Sequence, residues 1–136
     1  MSPEIAKVHV RAELARGAES LRAAHQLLAV GLLNDAVSPA YYAALHVARA
    51  LLLTEGVDPQ THSGVGSMLG MHFVVTGRLA PEHAKELARL EQFREEADYN
   101  RFFVFTPEGA AEEVAIADHF CSAGRALLAP GEWIER

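Results

Sequence analysis

The stretch NDAVSPAYYAALHVARALLLTEG, Asn34 to Gly56, decides the fold of this chain. Alanine and leucine dominate it, and both are strong helix formers. Tyr41, Leu45, Ala48 and Leu52 recur one turn apart and read as a core face. Tyr42, His46 and Arg49 follow at i, i+4 and i+7 and share the adjacent face. The small residues Ala40, Ala43, Ala44, Ala48 and Ala50 let another helix approach closely. Asn34 and Asp35 offer caps. Pro39 suits the first position of a helix capped by Ser38, but a helix starting near Asn34 loses one backbone bond there. The spacing predicts a start near Asn34 with an irregular first turn and a stop at Gly56.

On the N-terminal side, Ser2-Pro3-Glu4 combines a cap, a proline at the first helical position and a first-turn acid. Ile5, Val8, Ala12, Ala15, Ala18 or Glu19, Leu21 or Arg22, and Leu28 then recur at near-helical spacing as far as Gly31. On the C-terminal side, residues 57–62 read as a loop. Ser63 caps a short, glycine-weakened helix closed by Gly77, and Pro81 opens a helix ending in FREEADYN, Phe93 to Asn100. The connector RFFVF, with FFVF the one segment that could be a strand, leads to the Thr106-Pro107-Glu108 start of a last helix. That helix runs through Ala111, Val114, Ala117, Phe120 and Leu127 to Pro130-Gly131. In the tail GEWIER, loosely held, Trp133 and Ile134 dock on the body. The expected fold is all-α, an antiparallel up-and-down bundle of four long helices plus one shorter helix. Residues 1–130 form one domain and residues 131–136 a tail.

The bulk numbers agree with this. The chain has 136 residues, half of them hydrophobic and 22% charged, which makes it globular and large enough for one core. A net charge of −6 argues against broad electrostatic binding of nucleic acid, although local basic patches stay open. The single cysteine, Cys121, excludes an intrachain disulfide and reads as an inert packing residue. The N-terminus lacks the apolar block of a signal peptide, and no run approaches the roughly 18 apolar residues of a membrane span. A soluble, cytoplasmic protein with no membrane contact is expected.

Chemistry is sparse. In the fourth helix Leu87, Leu90, Arg94 and Ala97 lie along one line, so Arg94 sits on the apolar stripe. A guanidinium placed there needs acceptors to offset its desolvation. Asp98 is the nearest, and Asp35 or Tyr42 on another helix could contribute, while Glu91, Glu95 and Glu96 read as a solvated face. A buried structural pair and a contact to a ligand or RNA phosphate are equally open for Arg94. The tyrosines of the Tyr41-Tyr42 pair read first as buried rings whose hydroxyls find partners. Seven histidines are scattered, and none forms an HExxH or HxxxH pair, so no metal and no cofactor is expected. His62, just before a helix cap, reads first as a loop histidine and second as an anion contact. The glycines of HSGVGSMLG follow no strand and bring no P-loop lysine, and no serine has a readable His and acid partner.

In this order within a small helical protein, NDAVSPAYYAALHVARALL, DPQTHSG and REEADYN resemble the HEPN domain family. The match is to its stand-alone bacterial and archaeal branch, which carries Ala-Tyr-Tyr-Ala and Arg-x2-Ala-Asp-Tyr elements. The resemblance covers residues 5 to 128, with Pro39 standing where that branch more usually has a basic residue. It implies a bundle of four to five helices that pairs as a homodimer. Many of the family are similar to RNA-cleaving toxins, often encoded beside a nucleotidyltransferase-type partner that neutralises them. Their shared motif is an arginine followed four to six residues later by a histidine. The arginine stabilises phosphorane charge and the histidine moves the 2′-hydroxyl proton, without a metal.

Arg94 matches that arginine, but Asp98, Tyr99 and Asn100 stand where the histidine belongs. A phenol, ionising near ~10, is a poor base at neutral pH. The expectation is therefore a dimeric module with a degenerate ribonuclease motif, part of a toxin–antitoxin or nucleotidyltransferase-type system. It would bind RNA, a nucleotide or a protein partner around Arg94, Asp98, Tyr99, Tyr42, Asp35 and His62. The alternative is a metal-independent ribonuclease whose catalytic candidates are Arg94, Tyr99, and a displaced His46 or His62. A third reading is a purely structural subunit. An apolar surplus on the second and fourth helices adds to the expectation of a homodimer.

Overall fold

A computed structural model describes residues 2–134, and among these every regular element is helical. The order is α1 (Pro3–Ala29), α2 (Leu33–Leu53), α3 (His62–Leu69), a π-helical turn (Gly70–Val74), α4 (Pro81–Tyr99) and α5 (Pro107–Leu128). Four long helices and one short one are thus present, as expected.

α2 is the axis of the bundle. It packs on α1, α5, α4 and α3, and thirteen of its residues are buried, among them Tyr41, Leu45, Ala48 and Leu52. Its apolar surplus is therefore absorbed within the chain and does not call for a second copy. α4 carries a single buried line, His83, Leu87, Leu90 and Arg94, on an otherwise polar helix, so it has no second apolar face. α2 is also long and apolar enough, by length and composition, to cross a membrane, contrary to the expectation that no such run exists. Most of that run is buried by the other helices, as befits a core helix.

Two glycines set how closely the neighbours approach α2. A Cβ on Gly17 of α1 would stand 3.2 Å from the Ala43 carbonyl oxygen. One on Gly124 of α5 would stand 2.4 Å from Val47 Cγ1. This close approach also corrects the phase of α1. The face turned inward is Ala6, Val10, Leu14, Gly17 and Ala24, while Ile5 and Val8 are 50% and 63% exposed. A line through Ile5 and Val8 follows residue size, but the packing selects the small residues that allow contact. Ala111 in α5 is likewise exposed, whereas Val114, Ala117 and Phe120 are buried.

The ends follow local chemistry with two corrections. Ser2 and Thr106 cap α1 and α5, accepting from the Ile5 and Gly109 amides. α3 is capped by Thr61, whose hydroxyl accepts from Gly64 N at 3.0 Å, two residues before Ser63. His62 is thus the first residue of the helix and not a loop residue. α2 starts at Leu33 after Leu32, with no side-chain cap, and Pro39 lies inside it. Asn34 does something else: its Nδ2 donates to Phe103 O at 2.8 Å, and its Oδ1 accepts from Phe105 N at 2.9 Å. That pair of bonds pins the FFVF connector, which is irregular and not a strand, against the start of α2. Gly31, Gly56 and Gly77 close the first three turns with positive φ.

In the tail, Trp133 and Ile134 pack on the core, and Arg11 donates to Trp133 O at 3.1 Å. The last two residues of the tail, 135 and 136, and the first residue of the chain lie outside the described residues.

Candidate functional site

Where α4 crosses α2, the arginine of the apolar line meets the tyrosine pair. Arg94 is only 6% exposed. Its guanidinium carbon lies 5.2 Å from the Tyr41 ring centre, 5.8 Å from Tyr99 and 6.0 Å from Tyr42. The three rings form a cup around the cation, a geometry in which the ring faces attract it. Carboxylates contribute less than charge alone suggests. Asp98 Oδ2 is 3.8 Å from one terminal nitrogen and Glu95 Oε1 is 4.0 Å from the other, both too far for a hydrogen bond. The Nε–H is buried with no acceptor. Burial pulls against the charge, but the phenol oxygens of Tyr42, Tyr41 and Tyr99 more than offset this and raise the pKa, so the guanidinium stays protonated. Burial, the largest influence, pushes the Tyr41 phenol above its ordinary value, so it serves as a wall and not as a base.

His62 reaches the same place from the first turn of α3. Its ring centre is 5.6 Å from that of Tyr41 and 6.0 Å from that of Tyr42. A shallow groove continues from there, lined by Tyr41, His62, Ser63, Gly66, Leu87 and Glu91 among others. Glu91 is half-buried in it, not part of a solvated face, and Glu96 is half-buried as well, accepting from Asn100 Nδ2. Only Glu95 of the three is exposed.

The structure brings Arg94, Asp98, Tyr99, Tyr42 and His62 together around Tyr41. It does not bring the other two candidates there. His46 turns toward α1, where its Nδ1 pairs with Glu13 Oε2 at 2.7 Å. Asp35 is exposed in the first turn of α2, and among the described residues no carboxylate other than those of Asp98 and Glu95 comes within 4.0 Å of Arg94. Tyr99 is 77% exposed, and Phe102 and Val104 of the following connector are exposed too, at 80% and 75%.

Two polar clusters escaped the sequence. Arg89 donates twice to Glu113 Oε2, at 3.1 and 2.8 Å, joining α4 to α5 over a carboxylate that is 1% exposed. Burial raises the Glu113 pKa, with Arg89 opposing. Glu86 lies between His83 and His119, accepting from or sharing a proton with each ring at 2.6 Å. The His83-x-x-Glu86 spacing is visible in the sequence, but its third member comes from another helix, which only the fold supplies.

Comparison with known proteins places this geometry in a family. Residues 10–127 match the HEPN domain. A UPF0332 protein of Pyrococcus horikoshii is 49% identical over 69 residues, covering 51% of this chain and 49% of the relative. A protein of Methanocaldococcus jannaschii named as a candidate toxin is 41% identical over 81 residues, 60% of each chain. A UPF0332 protein of Thermotoga maritima is 33% identical over 113 residues, 83% of this chain and 86% of the relative. The match thus spans about half of the first relative and three-fifths of the second. With most of its length matched and the arginine and tyrosine elements meeting at one helix crossing, the chain belongs to the HEPN domain family.

Proposed function

We propose that this chain is a toxin-type HEPN module that binds a phosphate-bearing ligand, RNA or a nucleotide, in the cup around Arg94 without cleaving it. The observation that carries this reading is the buried guanidinium whose Nε–H has no acceptor. A protein that used Arg94 only to join helices would be expected to give it a hydrogen-bonded carboxylate, because an unmade buried bond costs about 1–3 kcal/mol. A phosphate oxygen entering between Tyr42 and Tyr99 would complete the set, and bases would stack on the exposed Tyr99 ring. Glu91, farther along the groove, repels anions and so confines the phosphate to the Arg94 end. The absence of a histidine four to six residues after Arg94 leaves proton transfer unprovided on that helix. The protein works in the cytoplasm as a homodimer, with a nucleotidyltransferase-type protein as its partner.

One observation favours a second reading, cleavage with a displaced base. His62 stands against the same tyrosines as Arg94, whereas His46 is engaged with Glu13 of α1. The test is incubation of labelled single-stranded RNA with the protein in EDTA, with Arg94→Met and His62→Ala alongside. Binding without cleavage, lost in Arg94→Met, supports the main reading. Cleavage lost in both variants selects the second, and failure of the wild type to retain RNA overturns both.

A further inference from the structure

The His83–Glu86–His119 cluster lies at the opposite end of α4 from Arg94, and RNA or nucleotide binding makes no use of it. Glu86 is mostly buried, its side chain 16% exposed, and among the described residues its only ionic partners are the two imidazoles. Among the described residues no Lys or Arg forms an ion pair with it. Both rings offer Nδ1 to this one carboxylate, at 2.6 Å each, and the ring centres lie 4.9 Å apart. One ligand atom from each of the three residues can be chosen so that all lie within 4.8 Å of one another.

We infer that His83, Glu86 and His119 form a binding site for a borderline transition-metal dication such as Zn²⁺, clasping α4 to α5. The donor set selects the ion. Two imidazoles and one carboxylate suit zinc, whereas calcium and magnesium want mostly oxygen ligands. The geometry is close to what is needed. Zinc holds nitrogen and oxygen ligands at about 2.0–2.2 Å in a tetrahedron, which sets the ligand atoms roughly 3.4 Å apart. Each imidazole–carboxylate contact therefore opens by under about 1 Å, and the spread of the three atoms closes by a little more. His119 can supply the movement, because its side chain is 58% exposed. His83 is held in place, with its ring packed near Phe120 and 8% exposure.

The outer shell also fits. Metal binding through Nδ1 moves the remaining ring proton to Nε2, and His83 Nε2 lies 4.0 Å from Glu82 Oε1, an exposed carboxylate that must close by about 1 Å to accept that proton in a hydrogen bond. Glu82 and Glu86 together balance a dication. Three protein ligands leave a fourth position to water on the open side at His119. Because the ligands come from two helices 33 residues apart, the ion would bind the folded chain and not the unfolded one.

The test titrates zinc chloride into the full chain after EDTA dialysis, by calorimetry and by thermal melting, and repeats it with His119→Ala. The latter removes an exposed ligand without opening the core. Expected are saturation at one zinc per chain, a rise in melting temperature with zinc, and at least tenfold weaker binding with no thermal shift in His119→Ala. Cobalt(II) should give the visible absorption of a four-coordinate site in the wild type only. His9→Ala, an exposed histidine elsewhere, should bind as the wild type does. A wild type that takes up no stoichiometric zinc, or binding and thermal shift that survive in His119→Ala, would overturn the assignment.

Discussion

Replacing Arg94 by methionine separates a guanidinium kept for a ligand from one kept for the fold. The ring contacts to Tyr41 and Tyr99, at 5.2 and 5.8 Å, are each worth about 0.5–1 kcal/mol at a partly screened site. Asp98 at 3.8 Å without a hydrogen bond adds at most about 0.5 kcal/mol, as an i, i+4 helix pair. Against these gains stands the unmade Nε–H bond, at about 1–3 kcal/mol. The balance lies within about 2 kcal/mol of zero. Methionine keeps the stem that fills the space beside Tyr41 and leaves no polar atom unpaired. Arg94→Met should therefore change stability by less than about 2 kcal/mol, a shift of roughly 8 °C or less in a chain of this size. Arg94→Ala, which also removes the stem, should lose about 2 kcal/mol or more. Urea unfolding followed by circular dichroism measures both, and RNA retention measured on the same samples should be lost in both. A loss above about 3 kcal/mol in Arg94→Met would place the guanidinium among structural buried ions and refute the reasoning. Unchanged stability with unchanged RNA retention would remove the ligand from the cup.

Three further outcomes test the packing of α5 on its neighbours. Gly124→Ala sets a methyl 2.4 Å from Val47 Cγ1 and should destabilise the α2–α5 contact by about 1–3 kcal/mol, read as a lower urea midpoint with an unchanged slope. Burial raises the Cys121 thiol to about 12, so the folded chain should resist a thiol reagent at pH 8 and react fully once unfolded; prompt reaction of the native protein would contradict its placement. For Glu113 the folded pKa lies above its ordinary value of 4.5, chiefly through burial, so the folded state holds the proton more tightly than the unfolded one. Its charge therefore subtracts stability as pH rises from 4.5 through the raised value, and the loss is restored as pH falls. Glu113→Gln should gain on the wild type across that rise in matched urea titrations, and an advantage that shrinks with rising pH would reverse the sign.

The elements were legible because their signals are local. Ser2-Pro3, Thr106-Pro107 and Pro81 start helices by chemistry confined to three or four residues, and Gly31, Gly56 and Gly77 end turns by backbone conformation alone. Residues whose partners are distant in the chain were not legible. Asn34 looks like a cap, yet its amide spans to residues 103 and 105, and nothing near position 34 announces that use. Helical spacing runs the α1 stripe through Ile5, Val8 and Ala12, whereas Gly17 and Ala43 decide the inward face by how near two backbones can come. The candidate site divides in the same way. Arg94 could be placed on the apolar line from spacing within α4, but its orphaned Nε and the approach of His62 depend on where α2 and α3 lie.

Tyr41 links the core to the site. It is 1% exposed, so it belongs to the packed interior of α2, and its ring still faces both Arg94 and His62. The cation and the imidazole both lie against this one buried ring, so the packing of Tyr41 sets where each of them sits. Tyr42 and Tyr99, by contrast, are half-buried and exposed, so they can adjust to what enters. Tyr41→Phe should therefore leave the fold and the cup geometry nearly intact, since the ring and its packing remain. Tyr41→Leu should widen the cup, let the guanidinium lean away from His62, and weaken RNA retention by more than it weakens folding. Equal losses of retention and stability in Tyr41→Leu would mean that the residue acts through the core alone.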